Sequence, residues 1–267
     1  VVRPDANSAS FSIRVPEERR PDQSVLEIRY SPTLAGAMVD ALPYLVDYPY
    51  GCTEQTLNRF LPTVLTRRTL QNMGLDLSAI RDKRTNLNAQ EIGDDRQRAK
   101  QWQKNKSRNP VFDEAEVSKM VKAGLNRLVS QQNSDGGWGW FGGNKSYSHT
   151  TVTVVRGLLV AQDNDVAIPG NSLQRGIAWL ERYQKGEVIE IQNHLNKKDK
   201  PRKAKADNLD AYTYSVLATA GKSNDAMAGF LYRDRQNLAV YSKAMLALAF
   251  HKQGQTARRD MLRRNID

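Results

Sequence analysis

The sequence predicts a mainly helical fold of the α/α toroid type, with short β-strands at its N-terminal edge. Three observations predict it: helical segments of two kinds alternate along the chain, one kind repeats in sequence, and a glycine-rich turn follows the first copy of the repeat. GLNRLVSQQ (124–132) and GIAWLERYQ (176–184) share a glycine, an aliphatic residue, a leucine and a glutamine in register. Both are amphipathic, as outer helices should be. TVTVVRGLLVAQ (151–162), AYTYSVLATAGK (211–222) and VYSKAMLALAFHKQG (240–254) are apolar nearly all round, so they are expected inside. Inner helices alternating with outer ones build an α/α toroid. An α-solenoid of stacked helix pairs is the alternative arrangement.

Residues 1–30 read differently. SFSIRV (10–15) alternates Phe11, Ile13 and Val15, SVLEIRY (24–30) puts Leu26, Ile28 and Tyr30 on one face, and PEERRPDQ between them is turn-like. Two strands are too few to stand alone, so 1–30 is expected to be the end of an adjoining β domain. The helical domain then covers 31–267. Ser31-Pro32 is an N-cap followed by a first-turn proline. Leu34, Met38, Leu42 and Leu45 continue that helix until Pro43 ends or kinks it. A second helix starts near Cys52 and carries Leu57, Phe60, Leu61, Val64 and Leu65. Pro62 is expected to bend it or delimit a first turn, and Gly74 to close it. Residues 82–112 are polar, charged and poor in apolar side chains, and read as a mobile insertion. Helices resume near Glu114. In QNSDGGWGWFGG (132–143) the Asp-Gly-Gly step needs a left-handed backbone, and Trp138, Trp140 and Phe141 are expected to pack back onto the helix ends.

The chain carries a net charge of +11, concentrated between Arg81 and Arg108 and in NKKDKPRKAKA (196–206). Such runs read as solvated, mobile faces. Recognition of single-stranded nucleic acid needs aromatic rings among the charges. The second run has none and the first only Trp102, so no nucleic-acid partner is expected. A single cysteine excludes an internal disulfide framework and a cysteine-rich zinc site. His149, His194 and His251 share no ligand spacing on a helix face. Neither metal nor cofactor is expected. No apolar run is long enough to span a membrane. The chain begins at Val1 without a secretory leader pattern and is expected to be a segment of a longer protein.

That single cysteine lies in YPYGCTEQTLNRF (48–60), at the start of the second helix. Residues three apart at a helix start face the same side, so Cys52 and Gln55 are neighbours. A thiolate is favoured at a helix N-terminus. It can attack the carboxamide carbon of Gln55 and expel ammonia, leaving an internal thioester whose acyl carbon is open to an amine or hydroxyl. By itself, a lone cysteine at a helix start is usually a small buried residue.

The flanks extend the reading. YPYGCTEQ resembles the Gly-Cys-x-Glu-Gln thioester motif of the alpha-2-macroglobulin and complement family, with Gly51, Cys52, Glu54 and Gln55 in place. SPTLAGAMVDALPYL resembles that family's lead-in and YSKAMLALAFHKQGQ its late inner helix, so the likeness covers nearly the whole chain. The form Pro-Tyr-Gly-Cys-x-Glu-Gln-Thr and the lack of disulfides are most similar to bacterial members. The resemblance implies the thioester-containing domain of a protease inhibitor that captures attacking proteases through their lysine amines after a bait segment is cut. It would be a single-use trap, not a turnover enzyme. It also implies a periplasmic or extracellular location, contacts with the parent's other domains, and membrane anchoring only through that parent. Glu54 then takes a structural part, and Tyr48 and Tyr50 shield the thioester or simply pack. His194, between the repeated outer helix and the next inner one, falls near the place where hydroxyl-preferring members carry a histidine that forms an acyl-imidazole. Two other functions are weighed against this one. Gln-x-x-Asp-Gly-Gly-Trp also resembles the turn motif of terpene-cyclase and prenyltransferase toroids, but the acidic motif such an enzyme needs is absent from the sequence. A helical binding module with an inert cysteine is the other.

Overall fold

The structure, a computed structural model, describes residues 8, 10–24, 42, 51–74, 110–197 and 201–266. The chain divides into two compact units, Val1–Pro32 and Thr33–Asp267. In the first, a turn at Glu17 and Glu18 leads to a single 3₁₀ turn, Pro21–Gln23. The expected strand at 10–15 is not formed, and Phe11, Ile13 and Val15 are all exposed. A strand needs a neighbour to take up its N–H and C=O groups, and residues 10–15 have no such ladder among the described residues. The second expected strand lies, beyond Ser24, outside the described residues. So do most of the first expected helix and of the insertion, and Tyr48 and Tyr50. Within that first helix Leu42 is described, and it is helical and buried.

The second unit contains eight α-helices among the described residues: α1 (Thr53–Asn72), α2 (Glu114–Gln131), α3 (Ser148–Asp163), α4 (Ser172–Leu195), α5 (Asn208–Thr219), α6 (Asp225–Arg233), α7 (Val240–Lys252) and α8 (Thr256–Arg264). They form two layers. In the inner layer α1 lies beside α3, α3 beside α5, and α5 beside α7. In the outer layer α2 packs on α1, α4 on α3 and α5, α6 on α5, and α8 on α7. The alternation read from the sequence is therefore present, with the two repeat segments in α2 and α4. The glycine they share has a packing reason. A Cβ at Gly124 would fall 2.3 Å from the Phe60 ring of α1, and one at Gly176 would fall 2.7 Å from Val155 of α3 and 2.8 Å from Trp138. Only a bare backbone lets the outer helix sit that close to the inner one.

Helix ends follow local chemistry. Asp113 caps α2 by accepting from the Glu116 N–H, Asp207 and Asp210 form a capping box on α5, and Asn224 caps α6. Gly74, in the left-handed region at φ 69°, follows α1 as expected. Pro62 lies inside α1 without ending it. Val111, at the end of the expected insertion, is buried with Leu42 and Leu70. The inner helix α7 is only half covered: it packs on α5 and α8, while Val240, Tyr241 and Leu248 are exposed. An apolar composition signals burial only where neighbours exist on every side, and that depends on packing order.

The turn after α2 organises the core. Trp138 is fully buried; its indole N–H donates to the Leu128 carbonyl at 2.8 Å and its backbone N–H to Thr151 Oγ1 at 2.9 Å, joining α2 to α3. Asp135 accepts from the Gly137 N–H, the Ser146 hydroxyl and the Trp179 indole of α4. Burial works to raise its pKa. Those hydrogen bonds and the Arg182 charge prevail, and its carboxyl lies below the usual range. Trp140 and Phe141, expected in the core, are instead 53% and 57% exposed. A tight turn, with Asn144 bonded to both N–H and C=O of Phe141, swings the chain outward, and Trp140 stacks on Tyr147 instead. Gly136 sits at φ 91°, and a Cβ there would meet the Arg175 carbonyl oxygen at 2.7 Å. Gly136→Ala is therefore expected to destabilise the protein by about 1–3 kcal/mol, read as a lowered denaturant midpoint. An unchanged midpoint would show that the turn can relax around a methyl group.

The basic run 196–206, expected to be mobile, is pinned over residues 202–206. The Arg202 N–H donates to Glu190 at 3.0 Å and its guanidinium pairs with Glu187. Lys203 Nζ lies 2.7 Å from carboxylate oxygens of Glu187, Asp207 and Asp210. The Ala206 N–H donates to Asp234, itself paired with Arg233. Two of the counter-charges, Asp207 and Asp210, follow the run closely at the start of α5, while Glu187 of α4 and Asp234 after α6 come from farther along the chain.

Candidate functional site

Cys52 is the N-cap of α1, with an extended backbone at φ −66° and ψ 165°. Its side chain is 7% exposed. The Gln55 backbone N–H donates to Cys52 Sγ at 3.4 Å, and the Cys52 N–H donates to Gln55 Oε1 at 3.2 Å. The pair forms a reciprocal capping box in which sulfur replaces the usual hydroxyl. The arrangement brings the thiol and the carboxamide together, as the spacing predicts. It turns the carboxamide oxygen toward a backbone donor. Glu54 lies in the same first turn, partly buried, where a negative charge favours the helix N-terminus. The side-chain bond to the Cys52 N–H is made by Gln55 and not by Glu54.

Each peptide around Cys52 is held. The Gly51 carbonyl accepts from Arg127 Nη2 at 3.0 Å and from Gln131 Nε2 at 3.1 Å, both on the last turns of α2. The Cys52 carbonyl accepts from the N–H and the hydroxyl of Thr56, each at 2.9 Å. The Thr53 N–H donates to the Trp140 carbonyl at 2.9 Å, and its hydroxyl to the Gly139 carbonyl at 2.7 Å. The start of α1 is thus clamped between α2 and the glycine–tryptophan turn, whose exposed Trp140 ring stacks on Tyr147. The sequence pointed to Cys52 and Gln55 but not to Arg127, Gln131 and Thr53, which hold the backbone around them. An arginine and a glutamine on an amphipathic helix look like any solvated pair, and no local pattern marks them.

His194 is exposed in the last turn of α4, where its carbonyl accepts from the Lys197 N–H. Among the described residues no hydrogen bond links it to Cys52 or Gln55. His149 is exposed at the start of α3, its ring 6.3 Å from Tyr212, and His251 Nδ1 lies 3.1 Å from Arg259.

A family model described as the A-macroglobulin TED domain matches residues 30–265, almost the whole chain. The chain belongs to the A-macroglobulin TED-domain family. Alpha-2-macroglobulin of Thermotoga maritima is 28% identical over 156 residues, covering 58% of this chain and 8% of that protein. The TED-domain chain therefore spans a small part of the curated relative it matches. Salmonella alpha-2-macroglobulin reacted with methylamine superposes with a TM-score of 0.57 at 19% identity, over 87% of this chain and 13% of that one. Escherichia coli alpha-2-macroglobulin activated by porcine elastase superposes with a TM-score of 0.50 at 21% identity, over 84% and 17%. At these identities the superpositions establish a shared fold. Among the described residues of the TED domain no helix is long and apolar enough to cross a membrane.

Proposed function

We propose that this chain is the thioester-bearing domain of a bacterial alpha-2-macroglobulin-like protease inhibitor. The observation that carries the reading is the reciprocal bonding of Cys52 and Gln55 at the start of α1. Attack of Sγ on the Gln55 carboxamide carbon forms a carbon–sulfur bond, the thiol proton passes to the amide nitrogen, and ammonia leaves. The near-complete burial of Cys52 keeps water from the product. Cleavage of a bait segment elsewhere in the parent would expose the thioester, and a lysine amine of the protease would take the acyl group and release the thiol. Each molecule reacts once. The parent then works outside the cytoplasm, in the periplasm or beyond the cell. The relatives support the assignment through their reagents, a protease for the E. coli protein and a small amine for the Salmonella protein. Transfer to hydroxyls would require the His194 imidazole to reach the acyl carbon. Amines need no relay, and we propose them as the acceptors.

The test is alkylation of Cys52 in freshly purified full-length protein, before and after methylamine. The expected result is protection before treatment, full alkylation after it, and a methylamide on Gln55. A Cys52 that is fully alkylated once the untreated protein is unfolded, with Gln55 still an unmodified glutamine, would overturn the proposal.

A further inference from the structure

We infer that the backbone N–H of Cys52 is the oxyanion donor for acyl exchange at Gln55, and that Arg127 and Gln131 are positioning residues that aim it. The inference rests on the thioester reading and adds to it the groups that set the rate.

Both half-reactions pass through the same atom. When Sγ attacks the carboxamide carbon, the C=O electron pair moves onto Oε1; it returns as the carbon–nitrogen bond breaks and ammonia departs with the thiol proton. When an amine later attacks the thioester carbon, the pair moves onto the same oxygen and returns as the carbon–sulfur bond breaks. The thiolate leaves and takes up the amine's proton. A donor already placed at Oε1 stabilises both intermediates without reorganisation. The Cys52 N–H is such a donor, 3.2 Å from Oε1.

A backbone N–H can be aimed only by fixing its peptide plane. The Gly51–Cys52 peptide is trans and planar, so the Gly51 oxygen and the Cys52 N–H point in opposite directions along one rigid unit. Arg127 and Gln131 reach that oxygen from 76 and 80 residues away. Helix capping does not ask for them: the residue before the N-cap owes no hydrogen bond to the helix, and Gly51 is partly exposed, so water would satisfy its carbonyl. Gln131 is 8% exposed and is held there by the fold. Donation by a guanidinium to the carbonyl also polarises the peptide and strengthens its N–H as a donor. On the far side of Cys52 the Thr53 N–H bond to Trp140 fixes the next peptide. The donor is therefore pinned on both sides.

The experiment compares Arg127→Met, Gln131→Glu and the double variant with the unaltered full-length protein. Two quantities are read: the fraction of Cys52 protected from alkylation, and the second-order rate of methylamine-dependent thiol release. Gln131→Glu keeps the shape and replaces the donor with an acceptor. The expected result is release slowed about tenfold to a hundredfold, or protection lost in proportion, in variants whose circular dichroism shows the helical fold retained. Arg127→Lys, which keeps a donor, should restore most of the rate. Folded variants with unaltered protection and rate would overturn the inference, and if the double variant fails to fold the isosteric Gln131→Glu decides alone. Absence of protection in the unaltered protein would instead overturn the thioester reading itself.

Discussion

Lys203→Met is expected to lower the stability of the protein by about 3–5 kcal/mol, the usual cost of leaving buried charges without their partner. Lys203 is 11% exposed and bonds three carboxylates, of which Glu187 and Asp210 are almost fully buried. With Arg202 the cluster holds two positive and three negative groups, so one negative charge is in excess. Burial works to lower the Lys203 pKa, but bonds to Asp207, Asp210 and Glu187 overcome it, and the lysine stays charged. The excess falls on the most buried carboxyl: burial pushes Asp210 up to about 6 against the pull of Lys203. The same surroundings, burial first and then the Glu187 and Asp210 charges, push Tyr183 up to about 12. A folded-state pKa raised above the ordinary carboxyl value contributes stability at low pH that is lost as pH rises through it. Without Lys203 that loss grows, so the deficit of the variant should be larger at pH 8 than at pH 5. Chemical denaturation at the two pH values checks this, and a deficit that does not vary with pH would show that the lysine matters only for packing.

Cys52→Ser is expected to abolish methylamine incorporation at Gln55 while changing the folding free energy by less than about 2 kcal/mol. Serine is among the favoured N-cap residues, so it can take over the bond from the Gln55 N–H that sulfur now accepts. What it cannot supply is a nucleophile that ionises in the neutral range. The variant therefore separates the structural and chemical parts of one side chain. Incorporation that survives the change would place the acyl chemistry elsewhere. A drop of several kcal/mol with chemistry untested by any other variant would show that burial of the thiol, rather than its reactivity, explains its presence.

The pairing of Cys52 with Gln55 was legible because it is local. Cys52 and Gln55 sit three residues apart in a helix cap, and the geometry of a helix start brings them together whatever surrounds it. The same holds for the left-handed Gly74 and Gly136 and for the two helix classes, each set by a few neighbouring residues. The strand at 10–15 failed for the opposite reason: alternation marks a face, and a strand exists only with a partner.

Sequence by itself therefore pointed to the helix alternation, the glycine shared by the two repeats and the nearness of Cys52 to Gln55. Tertiary structure alone decided that Arg127 and Gln131 hold the Gly51 carbonyl, that Lys203 is buried among carboxylates, and that Trp140, Phe141 and one face of α7 stay exposed. Interactions within a turn of helix are fixed by backbone geometry and can be read in order along the chain. Those across tens of residues depend on which surfaces the packed layers bring together, and neither charge nor apolarity names its partner.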